Sequence, residues 1–275
     1  MRIGLTIFAT TETVDAVELA VEAESRGFSS FWLPEHTHIP TDRATPAPMG
    51  GELGPEYSRA MDPPTVLAAC ASATTRLELG SGIALVAQHD PVAYAKVWAT
   101  LDQLSGGRTR FGIGFGWNVE EMATHGVDYA TRRDRSREHT LAMQALWRDD
   151  EAEFHGQYVD FESSWSWPKP IQRPRIPTFI GGGAGPILFE HIAEYADGWI
   201  PIGGAGIRAA LPRLREAWEA AGRDGAPVVI PFGSIPSAEK LEFYRELGCT
   251  EVVLRLPNER RDDVLRTLDS YGAFV

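Results

Sequence analysis

The sequence predicts an α/β fold, a closed (β/α)8 barrel of the TIM type, and three observations carry that expectation. Eight short β-rich runs alternate with amphipathic helical runs along the 275 residues. The last run, "TEVVLRL", arrives late enough to close against the first. The chain is 43% hydrophobic, enough to bury one large core, so residues 1–275 are expected to form a single domain. A doubly wound open sheet is the alternative, and the number of units favours the barrel.

"RIGLTIF" (2–8) reads as the first strand. A helix follows from about 13, with Val14, Val17, Leu19 and Val21 among its apolar positions, and stops at Gly27. "FSSFWLP" is the second strand. "DPPTVLAACASATT" opens with an Asp cap and first-turn prolines, so it reads as a helix. "LELGSGIAL" is the third strand, and "PVAYAKVWATLDQLSGG" is a helix with a glycine stop. "RTRFGIGFG" is the fourth strand, followed by one long helical region from about 118 to 148. The rhythm breaks at about 150–177. There the aromatic- and proline-rich "EAEFHGQYVDFESSWSWPKPIQRPRIP" predicts an excursion with a short hairpin between strands four and five. "TFIGGG", "DGWIPI", "PVVIPFG" and "CTEVVLRL" supply the last four strands, each followed by a helix.

There are 38 acidic and 26 basic residues, for a formal charge of −12. Such a chain is not built to hold nucleic acid or an anionic membrane, so a small-molecule substrate is expected. The N-terminal apolar run is short and soon followed by acidic residues, unlike a signal peptide. No stretch reaches the roughly 18 apolar residues of a membrane span. Cys70 and Cys249 form no CxxC pair and read as free thiols, which suits a cytoplasmic protein.

In such barrels the chemistry sits at the C-terminal ends of the strands. Strand two runs into "WLPEHTHIP", which brings Glu35, His36 and His38 to that end. A His-x-His pair in a barrel can hold a metal, but further ligands must then come from other strand ends. Those ends carry Gly, Pro and Leu-Pro-Asn, so no metal is expected. His36 ends the strand and can point into the mouth; Glu35 then faces the other way and His38 lies in the loop. A histidine titrates near neutrality, which makes His36 the catalytic acid/base candidate. After strand five, "FIGGGAGPILFEHIAEYADGW" places four glycines before a helix. Backbone there can approach a ligand closely, and the helix N-terminus favours a phosphate. The pattern is neither GxGxxG nor a Walker loop.

With these stretches placed on one barrel, the chain resembles the luciferase-like monooxygenase superfamily, in its branch that uses the deazaflavin coenzyme F-420. The resemblance rests on "GFSSFWLPEHTHIP", "LELGSGIALVAQHDPVAYAKVWATLDQLSGGRTRFGIGFGWNVEEM" and "PTFIGGGAGPILFEHIAEYADGWIPIG". It implies a flavin-type ring at the barrel mouth, with the Gly181-Gly182-Gly183-Ala184 turn on the cofactor phosphate. It implies a non-prolyl cis peptide behind the ring, at Gly82–Ile83, and a cofactor site that includes Glu35, where relatives often have Asp. It also places His36 near the reacting ring. Sugar-phosphate-oxidising relatives carry a glutamate where this chain has Trp117, and a Trp cannot move a proton in that role. That substrate is therefore not transferred. Trp117 is assigned to the substrate pocket, with Trp32, Trp165 and Trp167 as further lining. Arg108 and Arg110 read as structural.

The activity so implied is hydride transfer between F-420 and a small organic substrate. The alternatives are an FMN-dependent monooxygenase using oxygen and a non-catalytic flavin-binding protein. A homodimer is expected, with Val66, Leu67, Val97 and Leu101 on helices two and three as candidate contacts.

Overall fold

The computed structural model describes residues 1–48, 50–204 and 206–275. Strand β1 (Arg2–Thr6) leads through α1 (Ala16–Ser25) to β2 (Ser30–Leu33). A long loop carries the single turn α2 (Glu56–Arg59) to α3 (Pro63–Ala73) and β3 (Glu78–Ser81). A 3-10 turn (Val86–Gln88), α4 (Pro91–Ser105) and β4 (Thr109–Ile113) follow. Next come α5 (Val119–Thr124), α6 (Arg132–Arg148) and the antiparallel pair β5 (Ala152–His155) and β6 (Asp160–Ser164). The alternation resumes with β7 (Thr178–Gly181), α7 (Pro186–Tyr195), β8 (Gly198–Ile200), α8 (Ile207–Ala220) and β9 (Val228–Val229). It ends with β10 (Phe232–Ser234), α9 (Ala238–Glu246), β11 (Glu251–Arg255) and α10 (Arg261–Tyr271).

The parallel strands run in the order β10-β11-β1-β2-β3-β4-β7-β8-β9. β9 and β10 are the two halves of the expected seventh strand, parted at Ile230-Pro231 because proline has no N–H for the ladder. Phe232 N–H donates to Pro201 O at 2.9 Å and Val253 N–H to Pro231 O at 2.9 Å, so the ring closes through this split strand.

The helix starts follow the chemistry read from the sequence. Asp62 accepts from Thr65 N–H ahead of α3, and Asp90 from Ala93 N–H ahead of α4. Gly106, at φ +70°, ends α4. The single helical region expected over 118–148 is two helices, because the chain turns at Gly126, where φ is +69°. The first helix begins at Ala16 rather than near 13, capped by Asp15.

The barrel interior is layered and full. At its lower level Ser30 Oγ–H donates to Glu251 Oε1 at 2.5 Å, and Arg110 pairs with Glu78 at 2.5 Å. Above it Trp32 is fully buried, edge-on to Phe179 at 6.3 Å and Phe232 at 5.9 Å. A Cβ on Gly80 would lie 2.4 Å from the Trp32 ring, so that glycine seats the indole. Trp32 is thus a plug and not a pocket wall, which corrects the expectation. Truncating so large a buried ring costs about 3–5 kcal/mol.

The hairpin β5–β6 forms as expected and lies back along the outside of α6, where Glu138 accepts from Gln157 N–H at 3.1 Å and Tyr158 N–H at 2.7 Å. Lys169 anchors the segment there by donating to the carbonyls of Leu146 and Asp149 at the end of α6. Trp165 donates to Glu151 and the Trp167 carbonyl accepts from Lys96 on α4, so these rings, 78% and 54% exposed, lie on the outside of the helix layer and not in the mouth. Arg108 is structural, donating to carbonyls of Ala71, Thr74 and Leu77. Cys70 and Cys249 are free and buried. No helix among the described residues is long and apolar enough to cross a membrane.

Candidate active site

Ser30 and Trp32 alternate into the barrel, and the same row continues past the end of β2 to His36 at the mouth. The His36 side chain is 7% exposed, and its Nδ1 lies 2.8 Å from Glu121 Oε2. Glu121 is 1% exposed, and its other oxygen accepts from Thr37 N–H at 3.2 Å. Asn118 caps α5 by accepting from Glu121 N–H at 3.1 Å, which fixes that glutamate on the first helical turn. An ionised carboxylate only accepts, so the hydrogen-bond network assigns the proton to Nδ1 and leaves the Nε2 lone pair facing the mouth. The Trp117 indole N–H donates to that lone pair at 3.3 Å. Tyr57 stands 5.4 Å from the imidazole centroid and Trp117 5.7 Å, and Phe8 packs on Tyr57 at 4.7 Å.

Glu35, expected in the cofactor site, is turned into the protein. It is 3% exposed and faces away from the mouth, accepting from Leu85 N–H at 2.6 Å and contacting His89 Nε2 at 2.6 Å. Both of its oxygens are engaged by protein partners. His89 stacks on Tyr94 at 3.9 Å. Burial works to lower the His89 pKa, but the hydrogen bond and charge of Glu35 outweigh it and leave it raised.

The Gly82–Ile83 peptide bond is cis. Ile83 lies across the top of the plug: a Cβ on Gly114 would fall 1.7 Å from Ile83 Cδ1, and one on Gly181 2.9 Å from its Cγ2. Those two glycines exist to seat this side chain. Gly82 in turn makes room for Phe232, 2.2 Å from where its Cβ would be.

The Gly181–Ala184 turn leaves the ring at the N-terminus of α7, which starts with Pro186 after Gly185. Gly183 and Ala184 are exposed, and a Cβ on Gly183 would meet nothing within 4 Å. Neither N–H donates to a protein acceptor among the described residues. Open backbone donors at the positive end of a helix fit a phosphate such as that of a flavin-type cofactor.

His38 is at the rim. Thr37 Oγ lies 3.0 Å from His38 Nδ1 and 2.7 Å from His125 Nε2. Burial, then the charge of His38, lower the His125 pKa. Among the described residues no three His, Cys, Asp or Glu side chains are grouped to hold a metal. Glu120 holds the long loop onto α5: its carboxylate accepts from Thr45 Oγ–H at 2.6 Å and Ala44 N–H at 2.8 Å. The Thr45 hydroxyl is the main reason its pKa falls to about 2.

Glu121, Tyr57 and Phe8 are the mouth residues that the sequence reading did not select. "NVEEM" after strand four shows a capped first turn bearing two glutamates, but nothing local says which one faces His36. Tyr57 stands in a loop with no periodicity to read.

A histidine paired with a buried carboxylate at the C-terminal mouth of a closed barrel stands where TIM-barrel enzymes carry their chemistry. The chain belongs to the luciferase-like monooxygenase family, whose model matches residues 2–246. An uncharacterized protein of Mycobacterium tuberculosis is 40% identical over 277 residues, covering 99% of this chain and 98% of that one. An F-420-dependent glucose-6-phosphate dehydrogenase of Amycolatopsis mediterranei is 29% identical over 215 residues, 75% of this chain and 60% of that protein. Among solved structures, a monooxygenase from Streptomyces bottropensis superposes with a TM-score of 0.81 at 19% identity, over 99% of this chain and 98% of that one. An F-420-dependent secondary alcohol dehydrogenase in complex with an F-420–acetone adduct gives 0.77 at 18% identity, over 100% and 98%. At those identities the likeness to solved structures is one of fold.

Proposed function

We propose that this protein is an oxidoreductase that transfers a hydride between coenzyme F-420 and a small organic substrate, with His36 as the acid/base. The observation that carries the proposal is the 2.8 Å pairing of His36 with buried Glu121 at the barrel mouth. Membership of the family and the F-420-dependent relatives support the choice of cofactor. When bound, a deazaflavin supplies a two-electron hydride carrier with carbon in place of the flavin N5.

The chain's own residues have five tasks. Gly183 and Ala184 N–H, at the start of α7, hold the cofactor phosphate. Ile83, seated on Gly114 and Gly181, closes the barrel below the mouth. Phe8, Tyr57 and Trp117 exclude water around the imidazole. His36 Nε2 accepts the proton of a substrate hydroxyl as the alcohol is oxidised, and returns one when a carbonyl is reduced. Glu121 holds Nδ1–H and balances the imidazolium in the first case. The Trp117 N–H occupies the position of that hydroxyl donor and yields to it.

Calorimetric titration with F-420 and with FMN, then assays for deazaflavin bleaching and oxygen uptake, test the proposal. F-420 is expected to bind at micromolar concentration or tighter, and FMN more weakly. Much tighter FMN binding with substrate-dependent oxygen uptake would move the protein to the monooxygenase reading. Binding with no turnover on any substrate would leave a flavin-binding protein.

We also propose a homodimer. Of the expected contacts, Leu67 and Leu101 turn inward and are buried, because outer helices must cover the barrel. Val97 is 40% exposed and Leu104 61%, two turns apart on the same outer face of α4, so the contact is drawn from these two instead.

A further inference from the structure

We propose that Arg255 binds an anionic group of the substrate, a carboxylate or a phosphate, on the side of the mouth facing Tyr57; this rests on the oxidoreductase reading above. On β11, Glu251 faces the interior, where Ser30 donates to it, and Val253 packs in the cluster around Trp32. Side chains two apart on a strand share a face, so Arg255 continues that inward row one step higher, at the mouth. Its register partner on β1 is Thr6, two residues before Phe8 of the aromatic wall.

The Arg255 guanidinium is exposed and makes no hydrogen bond or ion pair among the described residues. Its charge reaches the Tyr57 hydroxyl, whose pKa burial raises, Glu56 raises further and Arg255 counteracts. The Tyr57 ring is 5.4 Å from His36. Tyr57 thus packs beside the acid/base and feels the charge of an open cation, as Tyr271 on the helix side also does. The other arginine of this loop, Arg59, is taken up by Glu12. A guanidinium fork matches the two oxygens of a carboxylate or phosphate. In a chain of net charge −12, it also offsets the repulsion an anionic substrate would meet at the entrance.

The test uses two probe pairs: 4-oxopentanoate with its methyl ester, and dihydroxyacetone phosphate with dihydroxyacetone. Their dissociation constants are measured by calorimetry on wild type and R255Q, with F-420 affinity titrated separately. In wild type the charged member of at least one pair is expected to bind about 10-fold tighter or more than its neutral partner. The pair that shows it distinguishes carboxylate from phosphate. R255Q should lose that advantage and keep its melting temperature and its F-420 affinity. No charge preference in wild type, weak binding of all four included, would overturn the proposal, as would a preference that survives in R255Q. A wild type that fails to bind F-420 but keeps the Arg255-dependent preference would support the anion site and sink the oxidoreductase reading alone.

Discussion

His36 and Glu121, 85 residues apart in the chain, meet across 2.8 Å at the mouth of the barrel. That contact decides which nitrogen of His36 carries the proton, and hence which one can do chemistry. Glu121→Gln keeps the shape of the partner but lets the amide donate or accept, so either tautomer becomes possible. Turnover is expected to fall on the order of 100-fold with little change in cofactor affinity. His36→Ala should lose about 100- to 10,000-fold in turnover. His38→Ala, at the rim, should be much milder. Steady-state kinetics with a parallel cofactor titration checks all three, and near-normal turnover in His36→Ala would reject the assignment.

Gly183 separates charge from strain in the cofactor turn. Gly182 has φ +153°, so any side chain there strains the backbone. Gly183 has free space around its missing Cβ, and Gly183→Ala should be tolerated. Gly183→Asp puts a carboxylate where a phosphate is held and should abolish binding of F-420 and FMN alike. Equal affinities in the Ala and Asp variants, read by calorimetry, would show that no anion sits on this turn.

The Glu35–His89 pair makes stability depend on pH. The His89 pKa is raised above its ordinary 6.5, so the folded state holds this proton more tightly than the unfolded chain does. Its contribution is complete below that ordinary value and is lost as pH rises through the raised one. His89→Phe retains a ring to stack on Tyr94 but removes the titration. The melting-temperature difference between wild type and variant should shrink from pH 6 to pH 8.5. A difference that is constant across this range would refute the linkage.

Assembly is tested at Val97. A Val97→Asp change adds a charge to the exposed face of α4 without touching the buried Leu101 side of that helix. Wild type should scatter light as a dimer at micromolar concentration and the variant as a monomer, both with native circular dichroism. A monomeric wild type would dismiss the homodimer.

Periodicity, caps and turns are local, and they were legible. The two-residue alternation of β2 already separated inward His36 from outward Glu35, and Asp and Gly residues marked most helix ends. The glycine turn declared itself because four glycines before a helix have a direct backbone meaning. The resemblance located the Gly82–Ile83 bond. The single helix assumed over 118–148 was misread, as "HGVDYAT" carries a Gly that a long polar pattern conceals.

By itself, then, the sequence determined the order of strands and helices, the strand ends that form the mouth, and His36 as the residue facing it. Only the closed ring decided what those residues touch. It set Glu121 on His36 and His89 on Glu35, turned Trp32 from a supposed pocket wall into a plug, and left Trp165 and Trp167 on the outer surface. Secondary structure repeats over a few residues and leaves a periodic trace in the chain. Contacts between strand ends depend on the curvature and stagger of the whole barrel, which no local stretch encodes.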